Sequence, residues 1–171
     1  SNGLESCHEY NNISNPSAVE EIHRAYIEAG ADIIQTNTYA AKKCQLKTYG
    51  YEDNFEEINI RAAEIARSAA GEKTFVLGTI GAIRGLRECE LTLESIVNET
   101  LDQVKVLLST EKIDGLLFET YYDQEEIRTV LSEVRKLTDL PIITNISLLE
   151  AGITQNGEKV TDALSALVNL G

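Results

Sequence analysis

The chain has 171 residues, 43% hydrophobic and 25% charged, which suits one globular domain with a substantial core. Its 15 Lys and Arg against 28 Asp and Glu leave a formal charge of −13, and a surface this acidic repels phosphate backbones and anionic lipid, so nucleic-acid and membrane-surface partners are excluded. No apolar run reaches the roughly 20 residues that span a bilayer, no basic and apolar leader opens the chain, and the widely spaced Cys7, Cys44 and Cys89 read as reduced thiols of a cytoplasmic protein, with no C-x-x-C metal spacing.

In chain order, Asn15 and Pro16 mark a helix start, and Val19, Ile22, His23, Tyr26 and Ile27 then fall on one helical face until Gly30. A short apolar strand runs through Ile34 and ends in the polar cluster Gln35-Thr36-Asn37-Thr38-Tyr39. The polar, Lys-containing stretch from Lys42 to Tyr51 carries Gly50, which marks a turn or loop. Phe55, Ile58, Ala62, Ile65, Ala66 and Ala69 then form the next helix, which ends near Gly71. A second strand covers Thr74 to Thr79, followed by a glycine-spaced loop from Gly78 to Gly85. Thr92 and Ser95 compete to cap a third helix carrying Val97, Leu101, Val104 and Leu108. Ile113 to Phe118 is a third strand. Asp123 caps a fourth helix, with Glu126 at the spacing of a capping box. A fourth strand starts at Pro141, Gly152 and Asn156-Gly157 mark a loop, and a last helix begins at Thr161 or Asp162.

Helices and strands therefore alternate, with strands beginning near 32, 74, 114 and 141, which predicts right-handed βαβ units and a parallel α/β sheet. Periodicity leaves two architectures open, a doubly wound open sheet and a partial (β/α)8 TIM barrel. A complete barrel takes about 250 residues, so this length covers roughly four or five of its eight units. The opening Ser1-Asn2-Gly3, the lack of any Met, and a final helix capped by Gly171 with no strand after it read as an internal piece of a longer protein.

Buried parallel strands carry their chemistry at the C-terminal ends, where the βα loops build the site. Glu119 follows Leu116-Leu117-Phe118 directly. A carboxylate there needs a cationic or hydrogen-bonding partner, either a substrate ammonium group or a structural Lys or Arg. Thr36, Thr38 and Tyr39 close the first strand and either hydrogen-bond a small polar substrate or satisfy their own backbone. If Thr36 and Thr38 face the barrel axis, Asn37 faces the helices. The loop of Gly78, Gly81, Arg84 and Gly85 fits neither dinucleotide nor P-loop spacing, which leaves close backbone approach to a substrate or a plain turn. Ser147 is a substrate contact or a strand-end hydroxyl, with no nucleophile elbow around it. His23 reads as a packing or surface residue.

These segments together resemble the homocysteine S-methyltransferase family. Cys7-His8-Glu9-Tyr10-Asn11 is similar to its Cys-x-Glu-Leu-Asn stretch, and the run from Glu21 to Tyr39 is the most specific match. Gly78-Thr79-Ile80-Gly81, Glu119-Thr120 and Ile146-Ser147 continue it. The resemblance covers nearly the whole chain. It implies a (β/α)8 barrel in which zinc, held by three cysteines, lowers the thiol pKa of homocysteine for attack on a methyl donor. Under it, residues 1–171 are part of one homocysteine-binding barrel that lacks the first strand and the C-terminal zinc-ligand strands. Glu119 would receive the substrate's α-ammonium group, with Thr36, Thr38, Tyr39, Gly81 and Ser147 as further substrate-binding residues. The Gly78–Gly85 loop lacks the Gly-Pro-Tyr-Gly of the S-methylmethionine branch. It is closer to bacterial bifunctional proteins whose fused methylenetetrahydrofolate reductase domain would add flavin and folate.

Cys7, Cys44 and Cys89 match none of the three zinc ligands. The expectation is therefore a fragment that holds no catalytic zinc and transfers no methyl group alone, within a parent that makes methionine in one-carbon metabolism. Its unpaired strand edges favour self-association. The competing readings are another (β/α)8 enzyme acting on a small amino acid, which would place a Lys or Asp base at a strand end, and a non-catalytic barrel module.

Overall fold

The structure is a computed structural model that describes residues 7–85 and 90–170. The expectations placed on Ser1-Asn2-Gly3, Cys89 and Gly171 lie outside these residues. The helices are α1 (Asn11–Ser14), α2 (Pro16–Glu28), α3 (Lys43–Leu46), α4 (Phe55–Ala70), α5 (Leu93–Ser109), α6 (Gln124–Val134) and α7 (Val160–Val168). The strands are β1 (Ile33–Gln35), β2 (Phe75–Gly81), β3 (Gly115–Tyr121), β4 (Ile142–Ile146), β5 (Leu148–Glu150) and β6 (Ile153–Thr154).

Strands β1 to β4 form one parallel sheet whose spatial order repeats the chain order. No strand reverses that order, so the sheet has no topological switch point of the doubly wound kind. The helices pack in the same succession, α2 on α4, α4 on α5, α5 on α6 and α6 on α7. One sheet face is sealed by this layer: Ile34, Val76, Ile80, Leu116 and Phe118 share a core with Ala63, Ala66, Val104, Leu107, Ile127 and Val130. The alternate residues face the other way, and Ile33, Phe75 and Ile143 are 46%, 59% and 45% exposed. A doubly wound sheet would cover both faces. An arc of a (β/α)8 barrel leaves its inner face open when the remaining strands are not there to fill it. The fold is that arc, which decides between the two architectures.

Several element ends differ from expectation for local reasons. Pro16 opens α2, but the Asn15 side chain makes no cap bond. Thr92 caps α5 by accepting from the Ser95 backbone amide. Asp123 caps α6 through the Glu125 and Glu126 amides, yet Glu126 does not complete a capping box, because its carboxylate is committed elsewhere. Around Gly152, expected to mark a loop, Leu148–Glu150 and Ile153–Thr154 form the antiparallel pair β5–β6. The stretch after Lys42 holds α3 and two 3₁₀ turns, and Gly50 makes the expected turn with φ 76°.

Candidate active site at the strand ends

The ends of β1, β2 and β3 open onto one cavity of about 590 Å³. Thr36, Asn37, Thr38, Tyr39, Thr79 and Glu119 line its polar end. Val19, Ile22, Tyr26 and Ile33 line an apolar end that runs along the open edge of β1. The structure thus brings Glu119, Thr36, Thr38 and Tyr39 together. Gly81 and Ser147 are not among the lining residues.

Thr36 and Thr38 stitch β1 to β2. The two hydroxyl oxygens lie 2.6 Å apart, Thr38 Oγ1 donates to the Thr79 carbonyl at 2.7 Å, and the Thr79 amide donates to Thr36 Oγ1 at 3.0 Å. Both side chains are buried. Their hydroxyls therefore satisfy backbone first, and they shape the cavity wall as fixed dipoles. Asn37 is held by its own set of bonds, donating to the His8 carbonyl and to Asn12 Oδ1.

Gly81 approaches protein backbone closely. A Cβ there would meet Tyr39 Cε2 and the Tyr39 carbonyl oxygen at 2.7 Å each. Its amide donates to that same carbonyl at 2.9 Å. Gly81 is also the register partner of Glu119, so the Tyr39 ring occupies the slot beside Glu119 that a larger residue at 81 would fill. Gly81→Ala is expected to cost about 1–3 kcal/mol through overpacking, seen as a lower urea midpoint. Ser147 sits beyond β4, where its amide donates to the Tyr121 carbonyl.

Glu119 is half-buried, and its side chain forms no ion pair or hydrogen bond among the described residues. What aims it is a β-bulge. From Phe118 to Tyr121 β3 advances three residues while its partner β4 advances two, Thr144 to Ile146. Thr120 absorbs the extra residue with φ 61°, the left-handed region that a β-branched residue rarely enters. Regular alternation would put Tyr121 on the same side as Glu119. The bulge instead returns Tyr121 to the core, fully buried with its ring 5.9 Å from that of Phe118, and leaves Glu119 alone on the cavity wall. Thr120→Gly is expected to raise the unfolding free energy by about 0.5–1 kcal/mol, because glycine adopts that backbone without strain. Equilibrium urea unfolding checks it.

Three buried polar groups at or behind the site were given no site role by the sequence. Thr79 is buried and its Oγ1 has no partner, although the residue lines the cavity. Its position, two residues before Gly81 on the inward face of β2, was the available signal. His23 is buried, the packing alternative of its two readings; it lines the cavity, and its buried Nε2 has no hydrogen-bond partner. Burial holds its pKa below the usual imidazole value. Lys42 is fully buried, donates to the Gly81 carbonyl, and is pulled down to about 8 by desolvation. It does not line the cavity, so it does not serve as the strand-end base that the small-amino-acid alternative requires.

Arg84, the one cation in the glycine-spaced loop, is taken by Asp123 and Glu125 at 3.2 and 3.1 Å, which removes it as an anion ligand. Among the described residues no group of three His, Cys, Asp or Glu is placed to hold a metal ion. Burial pushes the Cys44 thiol up to about 12 and raises that of Cys7, and neither stands in a group of potential ligands. The zinc that the resemblance implies does not fit these residues.

A family model described as homocysteine S-methyltransferase matches residues 2–171. The chain belongs to the homocysteine S-methyltransferase family. It is 30% identical over 180 residues to methionine synthase of Mycobacterium leprae (strain TN) and 29% identical to methionine synthase of Mycobacterium tuberculosis (strain ATCC 25618 / H37Rv). Each match covers 99% of this chain and 15% of the relative. Among solved structures it is similar to the homocysteine methyltransferase MmuM from Escherichia coli in its metallated form, with TM-score 0.82 and 20% identity over 94% of this chain and 62% of that one. The apo form gives TM-score 0.76 at 20% identity, over 97% and 62%. This family member therefore spans a small part of the methionine synthases and under two thirds of MmuM, and shares MmuM's fold. None of its described helices is long and apolar enough to cross a membrane.

Proposed function

We propose that this chain supplies the homocysteine-binding side of an enzyme that transfers a methyl group to the homocysteine thiol, forming methionine. The observation that carries the reading is the Glu119 carboxylate on the cavity wall without a partner among the described residues, together with the unpartnered Thr79 hydroxyl. A carboxylate half out of water calls for a cation, and the α-ammonium group of an amino-acid substrate is one. Thr79 lines the same cavity with a buried hydroxyl that has no partner, and Tyr39 lines it as well, which supports a polar ligand at this end. Membership of the family and the similarity to methionine synthases support homocysteine as that amino acid.

In this reading the chain binds and orients homocysteine. Activation of the thiol belongs to residues beyond those described, and no zinc-dependent step is assigned here. The test is calorimetric titration of the complete parent protein with homocysteine, with and without zinc. Saturable binding supports the reading, and no heat under either condition rejects it.

A further inference from the structure

We propose that Lys42 is the positioning residue of the cavity mouth, a single buried cation that holds the loops after β1 and β2 in the arrangement homocysteine needs. The proposal rests on the reading of the cavity given above. Lys42 Nζ donates to the carbonyl of Gly81, the glycine against which the Tyr39 ring packs. Three carboxylates from separate parts of the chain surround it electrostatically: Glu126, Glu99 and Glu9.

Each of those carboxylates also grips the backbone of these loops. Glu9 accepts from the Ala40 amide at 2.9 Å, Glu99 from the Cys44 amide at 3.0 Å, and Glu126 from the Ile83 and Arg84 amides at 2.9 Å each. The Cys44 thiol is the remaining titratable group acting on the lysine, and Tyr121, whose hydroxyl reaches the Gly81 carbonyl at 3.5 Å, is the buried phenol beside it. Glu126 and Glu9 are buried, and leaving such carboxylates without a nearby cation is costly. Lys42 offsets that cost for both, and attracts half-buried Glu99 as well, so the amide anchors and the Gly81 contact stand or fall with it.

The test uses the complete parent protein. Lys42→Met removes the charge at similar length, and Lys42→Gln keeps an N–H donor for the Gly81 carbonyl. In the Met variant, at a temperature where circular dichroism shows it folded, homocysteine Kd is expected to rise about tenfold. Hydrogen exchange at the Ala40, Cys44, Ile83 and Arg84 amides should speed up at least tenfold, while Val130 and Leu131 in α6 do not change. A residue that only adds stability would lower the melting temperature and leave Kd and this local pattern as in the wild type, and that result overturns the proposal.

The Gln variant serves if the Met variant does not fold. If neither folds, the wild type still decides: the same four amides should lose protection relative to Val130 and Leu131 as pH rises through about 8, where Lys42 gives up its proton, and unchanged relative protection overturns the proposal. Absence of homocysteine binding by the wild type would reject the substrate reading, and the exchange pattern would still report on Lys42.

Discussion

Replacing Glu119 by Gln in the complete parent protein is expected to weaken homocysteine binding about 10- to 150-fold, the equivalent of roughly 1.5–3 kcal/mol for a lost hydrogen bond to a charged group. The change keeps the side chain's size and both polar atoms, so packing at the end of β3 is undisturbed. What it removes is the charge that faces the cavity. Because Glu119 has no ion-pair or hydrogen-bond partner among the described residues, the variant leaves no protein cation stranded, and its stability should match the wild type within about 0.5 kcal/mol.

The prediction separates an ammonium ligand from any other use of the carboxylate. A homocysteine analogue lacking the α-amino group should bind the wild type weakly and the Gln variant no worse. In a double cycle the two losses then overlap instead of adding. Additive losses would show that Glu119 and the amino group do not meet. Unchanged homocysteine affinity in the variant would take Glu119 out of the pocket altogether.

The sequence made the scaffold legible because it is written in apolar periods. The four strands of the parallel sheet were located to within about three residues at their ends, since Ile34, Val76, Leu116 and their neighbours are buried runs between helical stripes, while the short pair β5–β6 was not located. Glu119 was legible for the same reason: it stands at the end of such a run. Which parallel architecture these units build was not legible, because a βαβ unit reads alike in both, and the spatial strand order decided it.

The polar framework under the cavity was also hidden. Asn59 donates to the Ala41 carbonyl and Gln103 to the Thr38 carbonyl, both from fully buried positions on helix faces. In sequence they are lone polar residues inside apolar stripes, with partners 18 and 65 residues away. Glu126 shows how a local rule can mislead. Its spacing from Asp123 satisfies the capping-box pattern, but a tertiary contact with residues 83 and 84 outcompetes it. The bulge at Thr120 likewise has no signature, since a β-branched residue is the last type expected at positive φ.

Truncating Glu126 to Ala is expected to cost about 2–4 kcal/mol of unfolding free energy, a large share of a typical domain's 5–15 kcal/mol. The loss does not come from the ionised carboxylate as such. Burial holds the Glu126 carboxyl above its usual range, although the Ile83 and Arg84 amides and Lys42 pull the other way. The charge is therefore a net burden in the folded state, while the two accepting oxygens are an asset. Ala removes both oxygens and leaves two amides and a void. Gln keeps one oxygen and drops the charge, so Glu126→Gln should cost only about 1 kcal/mol.

The pH dependence distinguishes these terms. A carboxyl whose folded pKa is raised contributes stability that is fully present below its unfolded value near 4.5 and is lost as pH rises through the folded value. Between those limits the folded state binds more protons than the unfolded one, so wild-type stability falls with rising pH on account of this group. The advantage of wild type over Glu126→Gln, read from urea midpoints at equal m, should accordingly shrink as pH rises from 4.5. An advantage that grows over that range would mean the carboxylate is held by direct charge pairing, and that the amide anchors are secondary.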